Sequence, residues 1–117
     1  MFTDPEFARV GLSETEAKER GIAYRLAKIP IVAVYRARTL SETRGFLKAL
    51  VDTESDRILG FTALGAEAGE IIAVVQVAML AGLPYTALRE AIFTHPTMVE
   101  GLIPLFSAVP ARPEKIT

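Results

Sequence analysis

The chain's single histidine stands in the stretch THPTMVEGL, residues 94–102, with a proline directly after it and a glutamate five residues on. Imidazole is the side chain whose ordinary pKa lies near neutrality, so His95 is the first candidate for proton transfer. Pro96 disfavours helical geometry at the residue before it and places His95 in extended chain just ahead of a helix. Thr97 then takes the N-cap and Glu100 the N3 position, a T-x-x-E capping box. Two readings share this geometry. In one, Glu100 caps the helix and His95 is an exposed loop residue. In the other, the Glu100 carboxylate accepts a hydrogen bond from one ring nitrogen, fixes the tautomer and leaves the other nitrogen as acid or base. Such a pair needs a reacting partner, and nothing else in the chain supplies one. A catalytic His95 therefore implies a site completed by another chain or another domain.

Other chemistry is sparse. The absence of cysteine excludes disulfides, thiolate metal sites and thiol nucleophiles carried by this chain. There is no G-x-G-x-x-G, no G-x-x-x-x-G-K-[ST], no G-x-S-x-G and no H-x-x-x-H, hence no mark of a dinucleotide, nucleotide, acyl-transfer or zinc site. Asp52, Glu54 and Asp56 alternate like the start of a calcium loop, but Arg57 stands where that loop requires glycine, and a solvated turn accounts for the same residues. Arg36, Arg38 and Arg44 could meet a phosphate or carboxylate, although surface pairing with Glu42 or its neighbours explains them as well. Net charge is −1 with the charges interspersed, which gives no long-range attraction to nucleic acid or an anionic membrane.

The elements that would position these residues follow from pattern. Ser13 with Glu16 three residues on opens a short surface helix that stops at Gly21. Residues 22–31, IAYRLAKIPI, alternate partly and predict a strand ending at Pro30. Residues 32–45 have no clean period and read as an irregular connection. FLKALV and RILGFTALG flank DTESD and predict an antiparallel hairpin. Residues 67–81 are apolar on nearly every face and predict a helix packed between a sheet and something else. Pro84 opens a second helix with Leu88, Ala91 and Ile92 on one side. A third begins at Thr97, weakened by Gly101 and interrupted by Pro104. Strands come first and helices afterwards, so the fold class is α+β, an antiparallel sheet with helices packed on it. The apolar run Ile71–Leu83 is shorter than the ~20 residues a bilayer requires. The N-terminal MFTDPEFARVG is no signal peptide, so the expected compartment is cytoplasmic.

Taken in order, FTDPEFARVGLSETEA, RGFLKALVDTESDRILGFTALGAEAGEII and HPTMVE resemble the C-terminal interface domain of the pyridine nucleotide-disulfide oxidoreductases, the flavoenzymes that include glutathione reductase, dihydrolipoamide dehydrogenase and mercuric reductase. The resemblance covers nearly the whole chain. It implies a homodimer in which each subunit sends its histidine across the interface toward the other's flavin and redox disulfide. His95 would be the acid/base that exchanges a proton with the interchange thiol, and Glu100 would hold and polarise it. FAD and NAD(P)H would serve the full-length enzyme, with no cofactor in this chain. The flavin domain, the nicotinamide domain and the Cys-x4-Cys pair are all missing, so the isolated chain is expected to be inactive. The vicinal C-terminal cysteines of many mercuric reductases are missing too, which puts mercuric ion in doubt as substrate.

On this basis residues 1–110 form the dimerisation domain and 111–117 a flexible tail. The abrupt start at FTDPEF leads us to expect a piece of a longer chain. The alternative is a free-standing, non-catalytic α+β module that self-associates through helices 67–81 and 98–108. From the resemblance to an interface domain, Leu102→Asp is expected to weaken self-association.

Overall fold

The computed structural model describes residues 7–31, 45–65, 68–90 and 101–111. In chain order the elements are β1 (Phe7–Gly11), α1 (Glu14–Glu19), β2 (Tyr24–Pro30), β3 (Phe46–Asp52), β4 (Ile58–Leu64), α2 (Ala68–Leu80), α3 (Tyr85–Arg89) and α4 (Leu102–Ser107). The four strands make one antiparallel sheet in the order β1-β4-β3-β2, as expected for the α+β class.

Alternation sorts the sheet into two faces. Leu47, Ala49 and Val51 of β3, Phe61 and Ala63 of β4 and Ala27 of β2 point one way and are buried. Against them pack Ile71, Val75 and Ala78 of α2, Tyr85 and Leu88 of α3, and Leu102, Leu105 and Phe106 of α4. The opposite face carries Arg9, Lys48 and Tyr24, and α1 lies over it through charge. Glu14 accepts from the Tyr24 hydroxyl at 2.9 Å and from Lys48 Nζ at 3.2 Å, and Glu16 sits 3.5 Å from Arg9. The expected cap holds α1 in place: the Glu16 amide donates to Ser13 Oγ at 3.1 Å.

The expected hairpin is β3–β4. Its ladder slips by one residue, Leu50 facing Gly60 and Val51 facing Ile58, so Leu59 is the extra residue of a β-bulge. The Leu12 amide donates to the Leu59 carbonyl at 3.0 Å. This brings the chain so close that a Cβ on Gly60 would collide with the Leu12 carbonyl, which leaves glycine as the residue that fits.

Three expectations change. No strand is read from the sequence at residues 7–11, yet β1 pairs with β4 from Phe7↔Leu64 to Gly11↔Gly60. It is an edge strand contributing only Ala8 and Val10 to the covered face, too few apolar residues to give a period. Pro104 does not interrupt the last helix. It is the third residue of α4, in the first turn, where no amide has a partner within the helix. Leu102 is fully buried with Leu105 and Phe106, so Leu102→Asp would break the core and does not probe a surface. The start of that helix at Thr97, Ala91 and Ile92, the connection at 32–44, and residues 112–117 lie outside the described residues.

In the turn, Asp52 Oδ2 accepts from the amides of Ser55 at 2.8 Å and Glu54 at 3.1 Å. This is an Asx-type turn, and Asp56 is paired with Arg25. Among the described residues no cluster of three acidic or imidazole ligands forms a metal site. The hydrogen bonds from Ser55, followed by that from the Glu54 amide, hold the Asp52 pKa below its ordinary value. A carboxylate with a lowered folded-state pKa contributes stability that is complete above its unfolded value, about 3.9, and is lost as pH falls through the folded value. Glu14, lowered first by the Tyr24 hydroxyl and then by Lys48, acts with the same sign. Denaturant titrations from pH 7 to pH 3 are therefore expected to show stability falling below about pH 4, with a shallower fall in Asp52→Asn. An identical acid limb in the variant would show that this turn contributes nothing to the acid limb.

Candidate functional site

His95 and Glu100, the predicted acid/base pair, lie outside the described residues, as do Arg36, Arg38 and Arg44. The elements on either side of the histidine's run are described. Before it comes α3, with Pro84 at its N-cap in extended geometry. After it comes α4. The two helices pack together, and Tyr85 meets Phe106 with ring centroids 6.1 Å apart at a 37° tilt. In the sequence His95 falls between these two packed helices.

A residue that sequence reasoning missed lies beneath this pair. Arg25 is the second residue of β2, on the phase shared by Ala27, and is only 6% exposed. Every nitrogen of the guanidinium has an acceptor. Nε donates to the Asp52 carbonyl at 3.1 Å and Nη1 to the Pro110 carbonyl at 3.0 Å, while Nη2 donates to the Ser55 carbonyl at 2.8 Å and to Asp56 Oδ1 at 3.2 Å. The guanidinium carbon also lies 5.5 Å from the centre of the Tyr85 ring, within cation–π range. The Tyr85 amide in turn donates to the Asp56 carbonyl at 2.8 Å. The hairpin turn, the start of α3 and the chain leaving α4 thus meet at one buried cation. The signal was present in YRLAKIP, where a charge occupies the inward phase of an alternating strand, a position that demands built-in partners. The proline-rich tail begins tied down, because Pro110 is one of those partners.

Helix α2 has a different character. Ala68, Ile71, Val75 and Ala78 face the sheet. On the outward side Val77 is 65% and Leu80 83% exposed, and Leu83 just beyond is also exposed. The sheet side of the expected sandwich is present, and the outer side is bare apolar surface in this chain. Among the described residues no helix is long and apolar enough to cross a membrane. An open cavity of about 400 Å³ is lined by Lys28, Ile29, Pro30, Gly45 and Phe46. Among the described lining residues the cation is Lys28, which is stacked 4.6 Å from the Phe46 ring centre.

Comparison with known proteins accounts for a domain with exposed apolar residues on one helix. Residues 1–104 match the pyridine nucleotide-disulphide oxidoreductase dimerisation domain. The chain is 45% identical over 109 residues to the probable pyridine nucleotide-disulfide oxidoreductase RclA of Escherichia coli, covering 93% of this chain and 25% of that protein. It is 40% identical over 100 residues to the mitochondrial dihydrolipoyl dehydrogenase of Caenorhabditis elegans, covering 86% of this chain and 20% of that one. A solved structure of the HOCl-induced flavoprotein disulfide reductase RclA from Escherichia coli superposes with a TM-score of 0.88 at 45% identity, over 92% of this chain and 25% of that chain. The chain spans about a quarter of the length of these relatives, and it belongs to the pyridine nucleotide-disulphide oxidoreductase dimerisation-domain family.

Proposed function

We propose that this chain is the C-terminal dimerisation domain of a FAD-dependent pyridine nucleotide-disulfide oxidoreductase and supplies an acid/base pair, His95 and Glu100, to the partner subunit's disulfide site. The observation that carries the reading is the family match over residues 1–104 of a chain that spans only a quarter of its relatives. Flavin, nicotinamide and the redox cysteines then belong to other parts of the longer protein, and this chain alone does not turn over.

The chemistry assigned to this chain is proton transfer. When a disulfide is reduced, the leaving sulfur needs a proton, which protonated His95 donates. In the reverse direction neutral His95 takes the proton from the incoming thiol. Glu100, accepting from the other ring nitrogen, favours the imidazolium and fixes which nitrogen faces the sulfur. The relatives include a disulfide reductase and dihydrolipoyl dehydrogenases by name, which supports a disulfide or dithiol substrate. Expected turnover by a full-length enzyme carrying His95→Gln is about 10² to 10⁴ below wild type. Wild-type turnover would remove the assigned role.

The second copy is the occupant we assign to the outward face of α2. A dimerisation domain must present apolar surface that its own core does not use, and Val77 and Leu80 supply it. Sedimentation equilibrium of this chain over a concentration series is expected to show a dimer, and Val77→Glu with Leu80→Glu is expected to shift it to monomer with the folded state intact. An unchanged dimer in that variant would put the contact on another face.

A further inference from the structure

We propose that Met79 is an oxidation site whose sulfoxide loosens β1 from α2. This goes beyond the function proposed above and does not depend on it. The chain has no cysteine, so its oxidisable sulfur is thioether, and of the three methionines Met79 is the one among the described residues. It is half-buried and stands one residue before the end of α2. The helix stops there on a glycine. Gly82 has a φ of 71°, its amide donates to the Met79 carbonyl at 3.1 Å, and the Leu83 amide donates to the Ala78 carbonyl at 2.9 Å. This turn carries Leu83 out to solvent. Between the turn and the start of β4 lies a cavity of about 100 Å³, lined by Arg57, Ile58, Met79, Gly82 and Leu83. It has room for several water-sized molecules. Arg57, Gly82 and Leu83 are all exposed, so small solutes reach the cavity and the methionine that lines it.

The methyl end of Met79 lies against the last residue of β1. A Cβ on Gly11 would meet that methyl at 3.1 Å, and the flexible thioether fills the gap that the glycine leaves. Met79 packs on the core, as do Ala8 and Val10 of the same strand. The next residue after Gly11 is Leu12, whose amide donates to the Leu59 carbonyl at the β-bulge. As an edge strand β1 is held by β4 on one side and by α2 above it. A peroxide is the class of oxidant this site takes. The sulfur lone pair bonds to one peroxide oxygen, the bond between the oxygens breaks, and the second oxygen leaves as water with the proton of the first. Sulfur loses two electrons and the peroxide gains them. The sulfoxide oxygen is polar and needs a donor. The Leu12 amide is already bound, whereas the cavity supplies water, so the oxidised side chain turns outward. Its methyl then leaves Gly11, and water reaches the bond between Leu12 and Leu59.

The test exposes the whole 117-residue chain to hydrogen peroxide and follows sulfoxide by peptide mass spectrometry and amide hydrogen exchange together. Met79 is expected to gain one oxygen, and exchange of the Leu12 amide to quicken by about 5- to 100-fold, the range set by a polar group placed in an apolar contact. The Ile31 amide, bonded to the Gly45 carbonyl at 3.0 Å at the other edge of the sheet, is expected to keep its rate. Treatment with methionine sulfoxide reductases is expected to restore the slow exchange of Leu12. Met79→Leu keeps the volume and lacks the sulfur, and it is expected to abolish the response. Met1 and Met98 remain in that variant, so a response that persists there would overturn the proposal. A Met79 that stays reduced while Met1 is oxidised would overturn it too, as would a sulfoxide at 79 with unchanged Leu12 exchange. Should Met79→Leu fail to fold, Met1→Leu with Met98→Leu leaves Met79 as the one sulfur, and loss of the response in that chain decides against the proposal.

Discussion

The structure depends on burying one guanidinium. A cation taken out of water costs several kcal/mol unless it is paired and its donors are met, and removing one partner of such a group leaves an uncompensated charge. Arg25 meets this condition only because residues 52–56, 85 and 110 converge on it. The geometry of β2 is thereby coupled to the far end of the chain, 85 positions on. Apolar packing alone would let α3 and α4 slide on the sheet by small amounts at little cost, because the hydrophobic effect is not directional. The hydrogen bonds of Arg25 carry the direction that packing lacks.

The sheet is covered in two different ways, and the difference follows from its alternation. One face offers Leu47, Ala49, Val51, Phe61 and Ala63, small and medium apolar side chains over which three helices can sit. The other offers Arg9, Lys48 and Tyr24 around the buried Leu50, which a helix covers with complementary charge and a small apolar side chain. Helix α1 does so with Glu14 and Glu16 while burying Ala17. Those exposed pairs contribute little each. The stability lies in the apolar face, and the charged face decides where α1 rests.

Much of this was legible in the sequence because it is local. A capping box at Ser13, five turn residues between two β-rich runs and a long apolar helix each leave a pattern within a few positions, and each appears as expected. What was not legible is what depends on distant partners. The pattern of β1 was too weak to see because an edge strand with two covered side chains is defined by its neighbour β4. Pro104 looked like an interruption, yet as the third residue of α4 it stands where its missing amide costs no bond within the helix. Leu102 looked like a candidate interface residue because an apolar helix does not announce which of its faces the core will take. Arg25 is the instructive miss. Arg36, Arg38 and Arg44 stand close together in sequence, whereas the arginine that organises the described residues stands alone and gathers its partners from across the chain. For the candidate site, His95 and Glu100 were legible as a motif through resemblance to a family, and both lie outside the described residues.

The distribution of apolar surface bears on how such a domain can both associate and contribute chemistry. In α4 the large apolar side chains Leu102, Leu105 and Phe106 are all turned inward, and α3 buries Tyr85 and Leu88. Neither helix has much apolar surface left for a partner. Helix α2 divides its apolar residues between the sheet and the outside, and Val77 and Leu80 are what remain. On the proposed function, association and proton transfer therefore fall to different parts of the chain: α2 makes the contact with the second copy, and His95, between α3 and α4 in sequence, carries the proton. Both rest on the same sheet, α2 through β4 and β1, and the other pair through the packing of α4 on β2 and β3 as well as through Arg25. A site completed across an interface needs its two halves in fixed register, and a sheet that spans both supports is the rigid member through which that register can be kept.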